Sequence, residues 1–260
     1  MNNIKKPPRS DQLKDKYPWA IGEASPWRGG RAEALARLAA IDPREYGATR
    51  NYGAGAITHL SPYIHHGVIS LIELKEAALK LAPAKEIIPF LQQLAWREYF
   101  QRLLHQHPEW LWHDVEDYKT GWQASDYQFD LSDDILAADT GVACIDYFIK
   151  QLYELGYLHN HARLYLASYV IHFRRIRWQA GAAWFLTHLL DGDLASNNFS
   201  WQWVASTFSH KPYIFNLENI QKYFSGIGDP QLDLSPEHNV ILDSSYDELQ
   251  LRLFPNKKEV

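Results

Sequence analysis

Apolar residues recur along this chain at helical spacing, and nowhere do they alternate long enough to make a half-buried strand. Ala34, Leu35, Leu38 and Ile41 share one stripe; Leu71, Leu74, Ala78 and Leu81 share another. Phe90, Leu94, Tyr99 or Phe100, and Leu103 line the inward face of a longer helix over 86–106. Ile145, Phe148, Ile149, Leu152 and Leu155 repeat the pattern until Gly156 stops it. The starts are written in capping chemistry: Asp42 before Pro43, Ser61 before Pro62, and Ser70 with Glu73 three residues on. Two further helices follow over about 160–178 and 181–190, joined around Gly181, whereas 107–140 is irregular, acidic and rich in tryptophan. With no strand–helix–strand alternation, the prediction is an all-α fold in one domain spanning 26–225. Residues 1–25 read as a polar lead-in, and 226–260 as a loosely attached tail with a short amphipathic segment at 246–253.

Composition narrows the function classes. A chain of 260 residues can bury a sizeable core without staples, and its single cysteine, Cys144, excludes an intrachain disulfide or a four-cysteine metal cluster. The first residues lack the apolar run of a signal peptide, and the longest apolar stretch, 164–173, is half of the ~20 residues a membrane span needs. A cytoplasmic protein with no membrane contact is expected. The net charge of −5 supplies no general attraction for nucleic acid, so DNA binding would need a local patch. Arg50, Arg97, Arg102, Arg174, Arg175 and Arg177 could build one, or could be solvated faces. Ten tryptophans are consistent with core filler, a stacking surface for bases, a flavin pocket or a chain of redox-active indoles.

Three segments carry candidate chemistry. The glycine-rich entry Gly53 to Pro62, with Thr58, His59 and Ser61, is either an anion site or simple helix capping. His159-Asn160-His161-Ala162-Arg163 opens a helix, and its histidines at i and i+2 do not share a face, so a structural role outweighs metal ligation. No metal site is expected. The run from Asp191 to Trp203 holds two aspartates, two asparagines and two tryptophans; it lacks the acidic twelfth position of a calcium loop and suits a heteroaromatic cofactor.

These segments, taken in order, resemble the photolyase/cryptochrome family, specifically its helical flavin-binding half. The resemblance runs from about Trp27 to Phe224 through Leu60-Ser61-Pro62-Tyr63, Gln93-Leu94-Ala95-Trp96-Arg97-Glu98-Tyr99-Phe100, Gly156-Tyr157-Leu158-His159-Asn160, Asp191-Gly192-Asp193-Leu194-Ala195, Trp201-Gln202-Trp203 and Ile214-Phe215-Asn216. It implies FAD as cofactor. Tyr46, Thr58, His59, Leu60 and Ser61 would surround its ribityl and phosphate groups; Asn160 and Arg163 would lie against the flavin, with Arg163 paired to Asp191. Asp193 would hold the ring edge and Asn197 would face the reactive central nitrogen, with Gln93 and Arg97 also in the cofactor set.

The implied activity is blue-light-driven repair of cyclobutane pyrimidine dimers in DNA, by electron transfer from reduced flavin to a flipped-out lesion. Trp96 and Trp203 correspond to the tryptophans that stack on the lesion, and Arg50, Arg97 and His161 join them as the expected DNA contacts, with lesion-containing or single-stranded DNA as partner. Gln93 stands where many dimer-repairing members carry glutamate, and Leu164 where methionine or histidine is common. Trp201 and Trp178 match the inner two of three photoreduction tryptophans, but the outer position is Ile135, so electrons would enter through another aromatic such as Trp184, or from a chemical reductant. The matched region contains no counterpart of the family's α/β antenna domain. A non-repairing flavin photosensor, and a subunit whose antenna half is a separate protein, are the alternative expectations.

Overall fold

The computed structural model describes residues 25–256, and in it the apolar stripes become helices whose starts are set by side-chain caps. α1 (Arg31–Ala39) is followed by α2 (Pro43–Thr49), which Asp42 opens by accepting the N–H groups of Arg44 and Glu45. α4 (Leu71–Leu81) begins with the reciprocal Ser70–Glu73 box, in which each residue's side chain satisfies the other's backbone N–H. Between them, α3 (Ser61–His65) forms as Ser61-Pro62 foretells, but the serine hydroxyl does not cap it. That hydroxyl is drawn instead to a distant carboxylate, described below.

The long α5 (Ile88–Gln106) lays Phe90 and Leu103 inward, while Tyr99 stays exposed. Residues 107–132 are turns, and the four-residue α6 (Asp133–Leu136) buries Ile135. α7 (Ala143–Leu155) ends at Gly156, whose φ of 62° is the left-handed geometry that glycine adopts without a Cβ clash. α8 (Asn160–Ser168) runs on into a π-helical turn over Tyr169–Phe173. α9 (Trp178–His188), α10 (Leu194–Ala205) and α11 (Leu217–Phe224) complete the scaffold. Among the described residues there is no strand, only a lone bridge between Gln128 and Ile176.

Two apolar clusters divide the chain. The first holds Ala34, Leu60, Tyr63, Leu74, Ile87 and Phe90 from α1 to the start of α5. The larger second one gathers Phe148, Tyr165, Trp178, Phe185, Trp201 and Phe215 from α7 to α11. α5 touches both halves, because Leu103 packs with Ala195 and Phe199 of α10. The candidate site lies where the two halves meet.

The helix boundary expected at Gly181 is misplaced. Gly181 lies inside α9, and the break falls at 174–177, where Arg175 adopts a φ of 47°. The glycine's role is contact: a Cβ there would sit 2.2 Å from the Trp201 ring, so only glycine lets α9 and α10 approach this closely. Gly181→Ala should therefore destabilise the protein by about 1–3 kcal/mol, the usual cost of overpacking a filled core. A chemical denaturation midpoint equal to wild type would show that Trp201 can move aside.

The C-terminal segment is not a loose tail. Leu242 and Leu249 are completely buried, and Leu249, Leu253 and Phe254 pack against Trp122, Phe173 and Ile214. α12 (Tyr246–Leu253) starts with a Ser245–Glu248 capping box. It is tied down by Trp122, whose indole N–H donates to the Leu253 carbonyl, and by Asn216, whose amide donates to that of Ser244. Apart from Ser25, the expected lead-in lies outside the described residues.

Candidate functional site

Two adjoining cavities of about 260 and 230 Å³ share Ser61, Arg97, Tyr157 and Asn160 as walls, forming one cleft between the two halves. The first is lined further by Arg163, Leu164, Asp191, Asn197 and Trp201; the second by Tyr46, Arg50, Thr58, His59 and Gln93. Most of the predicted cofactor residues are thus brought together from α2, the 50–60 loop, α5, α8 and α10.

At the centre is a buried ion pair. Arg163 donates from Nη2 to Asp191 Oδ2 at 2.8 Å and from Nε to the Leu158 carbonyl at 2.9 Å. The Ser61 hydroxyl donates to the same Asp191 oxygen, tying α3 to the loop before α10 and explaining why Ser61 does not cap its own helix. Asp191 is only 5% exposed. Burial alone would push its carboxyl up, but the Arg163 charge, with hydrogen bonds from Arg163 and Ser61, holds it below the usual range. Reciprocally, burial acts to lower the Arg163 guanidinium and Asp191 outweighs it.

The walls carry unsatisfied polar atoms. Asp191 Oδ1, His59 Nδ1 and Ser196 Oγ are buried without a hydrogen-bond partner, and all three residues line the cleft. Buried polar groups are rarely left so, and a ligand rich in donors and acceptors would satisfy them. His59 also sits at a φ of 52°, a strained backbone geometry of the kind that clusters at ligand sites. Of the three guanidinium groups on the cleft wall, Arg163 pairs with Asp191 and Arg97 with Asp193 behind it, which leaves Arg50 as the positive charge suited to an anion. Asn197 is oriented by donating its amide to the Ala182 carbonyl and to Asn198, which leaves its own carbonyl oxygen uncommitted.

Several expected residues stand elsewhere. The Leu60 side chain is wholly buried in the first apolar cluster, and Leu60 lines neither cavity. Asp193 is absent from the cleft wall. Its carboxylate caps α10 through Ser196 N–H and accepts from Arg97 and Gln101, so it positions Arg97 on the cleft wall. Arg50, expected on DNA, lines the cavity with Thr58 and His59. His161, also expected on DNA, is half-buried, with its Nδ1 bonded to the Asn51 carbonyl and its ring stacked on Tyr223. Trp96 and Trp203 are 54% and 43% exposed and line neither cavity.

The basic run is largely satisfied within the fold: Arg174 pairs with Asp134 and Arg177 donates to the Phe129 carbonyl, leaving Arg175 over the Trp122 ring. Arg102 pairs with Glu98 one turn back on α5.

Sequence reasoning missed Trp112. Its ring is parallel to that of Trp178, at an interplanar angle of 3° and a centroid separation of 6.3 Å, and it is 39% exposed. The Trp178 indole N–H donates to Asp114 at 2.6 Å. Helical periodicity could not find this pair, because Trp112 sits in the irregular segment; its only sequence signal is the local density of tryptophan and acid. Trp184, the expected substitute, bonds outward to the Tyr153 hydroxyl, and Phe185 is the ring that meets Trp201 on that side.

Burial also pushes two histidines down to about 4: His172, opposed by its hydrogen bond to the Val204 carbonyl, and His159, helped by the charges of its basic neighbours His161 and Arg163. A depressed histidine contributes stability above its unfolded value near 6.5, and that contribution fades as pH falls towards 4. The melting temperature should therefore drop between pH 6.5 and 4, each histidine accounting for on the order of 2–3 kcal/mol. A melting temperature flat across that window would contradict their neutral burial.

A multi-helical domain holding a deep, cationic, partly unsatisfied cleft against buried indoles defines a class of organic-cofactor protein. Comparison with known proteins gives the family: the model for the FAD binding domain of DNA photolyase matches residues 90–230. The chain belongs to this family, and its cofactor is FAD. It is 33% identical over 224 residues to the deoxyribodipyrimidine photo-lyase of Synechococcus sp., covering 76% of this chain and 44% of that protein. A bacterial class III photolyase from Agrobacterium tumefaciens superposes with a TM-score of 0.66 at 27% identity, covering 100% of this chain and 58% of that one. The Synechocystis sp. cryptochrome shares the fold, with a TM-score of 0.71 at 19% identity, covering 97% of this chain and 56% of that one. The chain spans about a third to a half of the curated relatives it matches. Among the described residues no group of three metal-ligating side chains occurs, and no helix is long and apolar enough to cross a membrane.

Proposed function

We propose that this protein repairs cyclobutane pyrimidine dimers in DNA under blue light, acting on single-stranded or lesion-containing substrate. The carrying observation is the cleft itself, in which the Arg163–Asp191–Ser61 cluster, the Arg50 guanidinium and the Trp201 indole converge. Bound there in reduced form, FAD supplies a light-excitable one-electron donor.

The chain's own residues do the rest. Arg163 and Asp191 present fixed, mutually satisfied charges that need no rearrangement during reaction. Thr58, His59, Arg50 and Ser61 form the polar end suited to a diphosphate, and Asn160, Asn197 and Gln93 present neutral amides along the wall. Trp96 and Trp203, both unusually exposed for their size, offer stacking faces for an extruded base.

A line of indoles supports electron supply from solvent. Trp201 walls the cavity and rests on Gly181, one turn beyond Trp178 on α9; Trp178 in turn stacks on the exposed Trp112. The Asp114 carboxylate, bonded to the Trp178 N–H, stabilises positive charge on that ring.

The test is blue-light illumination of a dimer-containing single-stranded oligonucleotide with chemically reduced, flavin-loaded protein and a dark control. Restored thymines only in the light are expected. Full flavin occupancy without repair would overturn the repair reading in favour of a photosensor.

A further inference from the structure

We infer that Asn198, a fully buried residue lining neither cavity, is a positioning residue: it fixes the Asn197 amide with its oxygen, not its nitrogen, open to the cleft, and so favours the reduced form of the cofactor. This rests on FAD occupying the cleft, and does not need DNA as the partner.

Two amides stand in series. Asn198 donates from Nδ2 to the Leu111 carbonyl at 2.8 Å and accepts at Oδ1 from Asn197 Nδ2 at 2.9 Å. Asn197 Nδ2 also donates to the Ala182 carbonyl at 3.0 Å. The direction of the series is set at both ends by backbone carbonyls, which only accept. Leu111 takes the nitrogen of Asn198, which turns the Asn198 oxygen to Asn197. That oxygen and the Ala182 carbonyl together take the nitrogen of Asn197 and use both of its hydrogens. The Asn197 oxygen makes no hydrogen bond among the described residues, and Asn197 lines the cavity, so the oxygen is the end it offers a ligand. Reversed, the amide would set that oxygen against two others.

A clamp alone does not account for Asn198. Gln202, one turn further along α10 and also fully buried, shows what clamping requires. It donates to the Trp110 carbonyl at 2.7 Å and accepts from the Val115 N–H at 3.1 Å, holding the irregular 110–115 segment against α10. Its side chain bonds to no residue that lines the cleft. Asn198 shares the clamping through Leu111 and adds the bond to Asn197. Burying an amide costs free energy that an apolar side chain does not, and here both of its ends are satisfied in a way that fixes a third group.

The consequence is a redox preference. Reduction of the isoalloxazine puts hydrogen on a ring nitrogen that in the oxidised form only accepts. An acceptor held on the wall gains a partner on reduction, whereas an amide nitrogen there would favour the oxidised ring. A dipole already in place needs no reorganisation when the change occurs.

The test is the midpoint potential of the bound flavin, measured in the dark by dye-coupled reduction of the full, FAD-loaded chain. Asn198→Leu keeps a branched side chain and removes both polar ends. The equilibrium should move about two- to tenfold toward the oxidised form, the worth of one hydrogen bond, which lowers a two-electron potential by about 10–30 mV. Gln202→Leu loosens the same segment without touching Asn197 and should leave the potential at wild type. Asn197→Ala should lower it, and adding Asn198→Leu should lower it no further, because Asn198 acts only through Asn197.

A wild-type potential in Asn198→Leu beside a lowered one in Asn197→Ala would overturn the positioning role, as would an equal fall in Gln202→Leu or additive effects in the double variant. A wild-type potential in Asn197→Ala would overturn both that role and the placement of the flavin in the cleft. If Asn198→Leu sheds its flavin, Asn198→Ala takes its place; loss from both would make Asn198 a structural clamp and overturn the role. The measurement uses neither DNA nor light, so its outcome is separate from that of the repair assay.

Discussion

Arg163→Ala should purify with little or no flavin. The guanidinium is the principal partner of Asp191, which is 5% exposed and lies on the cleft wall. Removing it leaves the carboxylate buried with only the Ser61 hydroxyl, and breaking such a pair costs about 3–5 kcal/mol. Two outcomes are open to the variant: Asp191 takes up a proton, or water enters the cleft. Either one disturbs the surface against which the cofactor is held. The Leu158 carbonyl also loses its donor, loosening the turn that leads into α8. The flavin-to-protein absorbance ratio after gel filtration reads the effect, and a lowered melting temperature should accompany it. Arg163→Lys keeps a charge but has no fork to reach Asp191 and Leu158 together, so it should recover only part of the flavin. Wild-type flavin content in Arg163→Ala would remove the ion pair from the cofactor site.

Trp112→Phe should abolish most light-driven reduction of the bound flavin while leaving flavin content and chemical reduction unchanged. The substitution keeps an aromatic ring in the surface stack beside Trp178, so packing is nearly preserved, but phenylalanine is far harder to oxidise than indole. Charge reaching Trp178 would then have no exposed partner, since Trp178 itself has no solvent-accessible surface. Trp184→Phe is the contrasting variant: Trp184 bonds to Tyr153 and meets Trp201 only through Phe185, so it should photoreduce normally. The readout is flavin absorbance under continuous blue light with a thiol present as the external electron donor. Loss in Trp184→Phe with retention in Trp112→Phe would reverse the assignment and restore the residue suggested by the sequence.

The contrast between these two tryptophans shows where legibility ended. Trp178 and Trp201 lie on regular helices inside recognisable motifs, whereas Trp112 reaches Trp178 from 66 positions away in sequence, through a segment with no period to read. Asp193 shows the same limit in another form. Its acidic character was visible, but its partners Arg97 and Gln101 on α5 were not, and they make it a brace for the cleft wall. His161 and Arg50, both expected on DNA, show the limit again, since the bond of His161 to Asn51 and the place of Arg50 on the cavity wall depend on how the loop after α2 folds against α8.

Local chemistry determined a good deal by itself. The all-helical class followed from apolar spacing, because a helix buries one stripe whatever it packs against. The starts at Asp42 and Ser70 and the stop at Gly156 followed from side chains that satisfy or release backbone groups within a few residues. Tertiary structure decided what local rules cannot reach. Ser61 abandoned its own helix for Asp191, Gly181 proved to be a contact rather than a hinge, and the tail became a wall. In each case the deciding partner lies on another element, outside the reach of local rules. A buried charge, a filled ring contact or an apolar face outweighs a local preference because removing it from water, or crowding it, involves larger free energies than a single cap or turn.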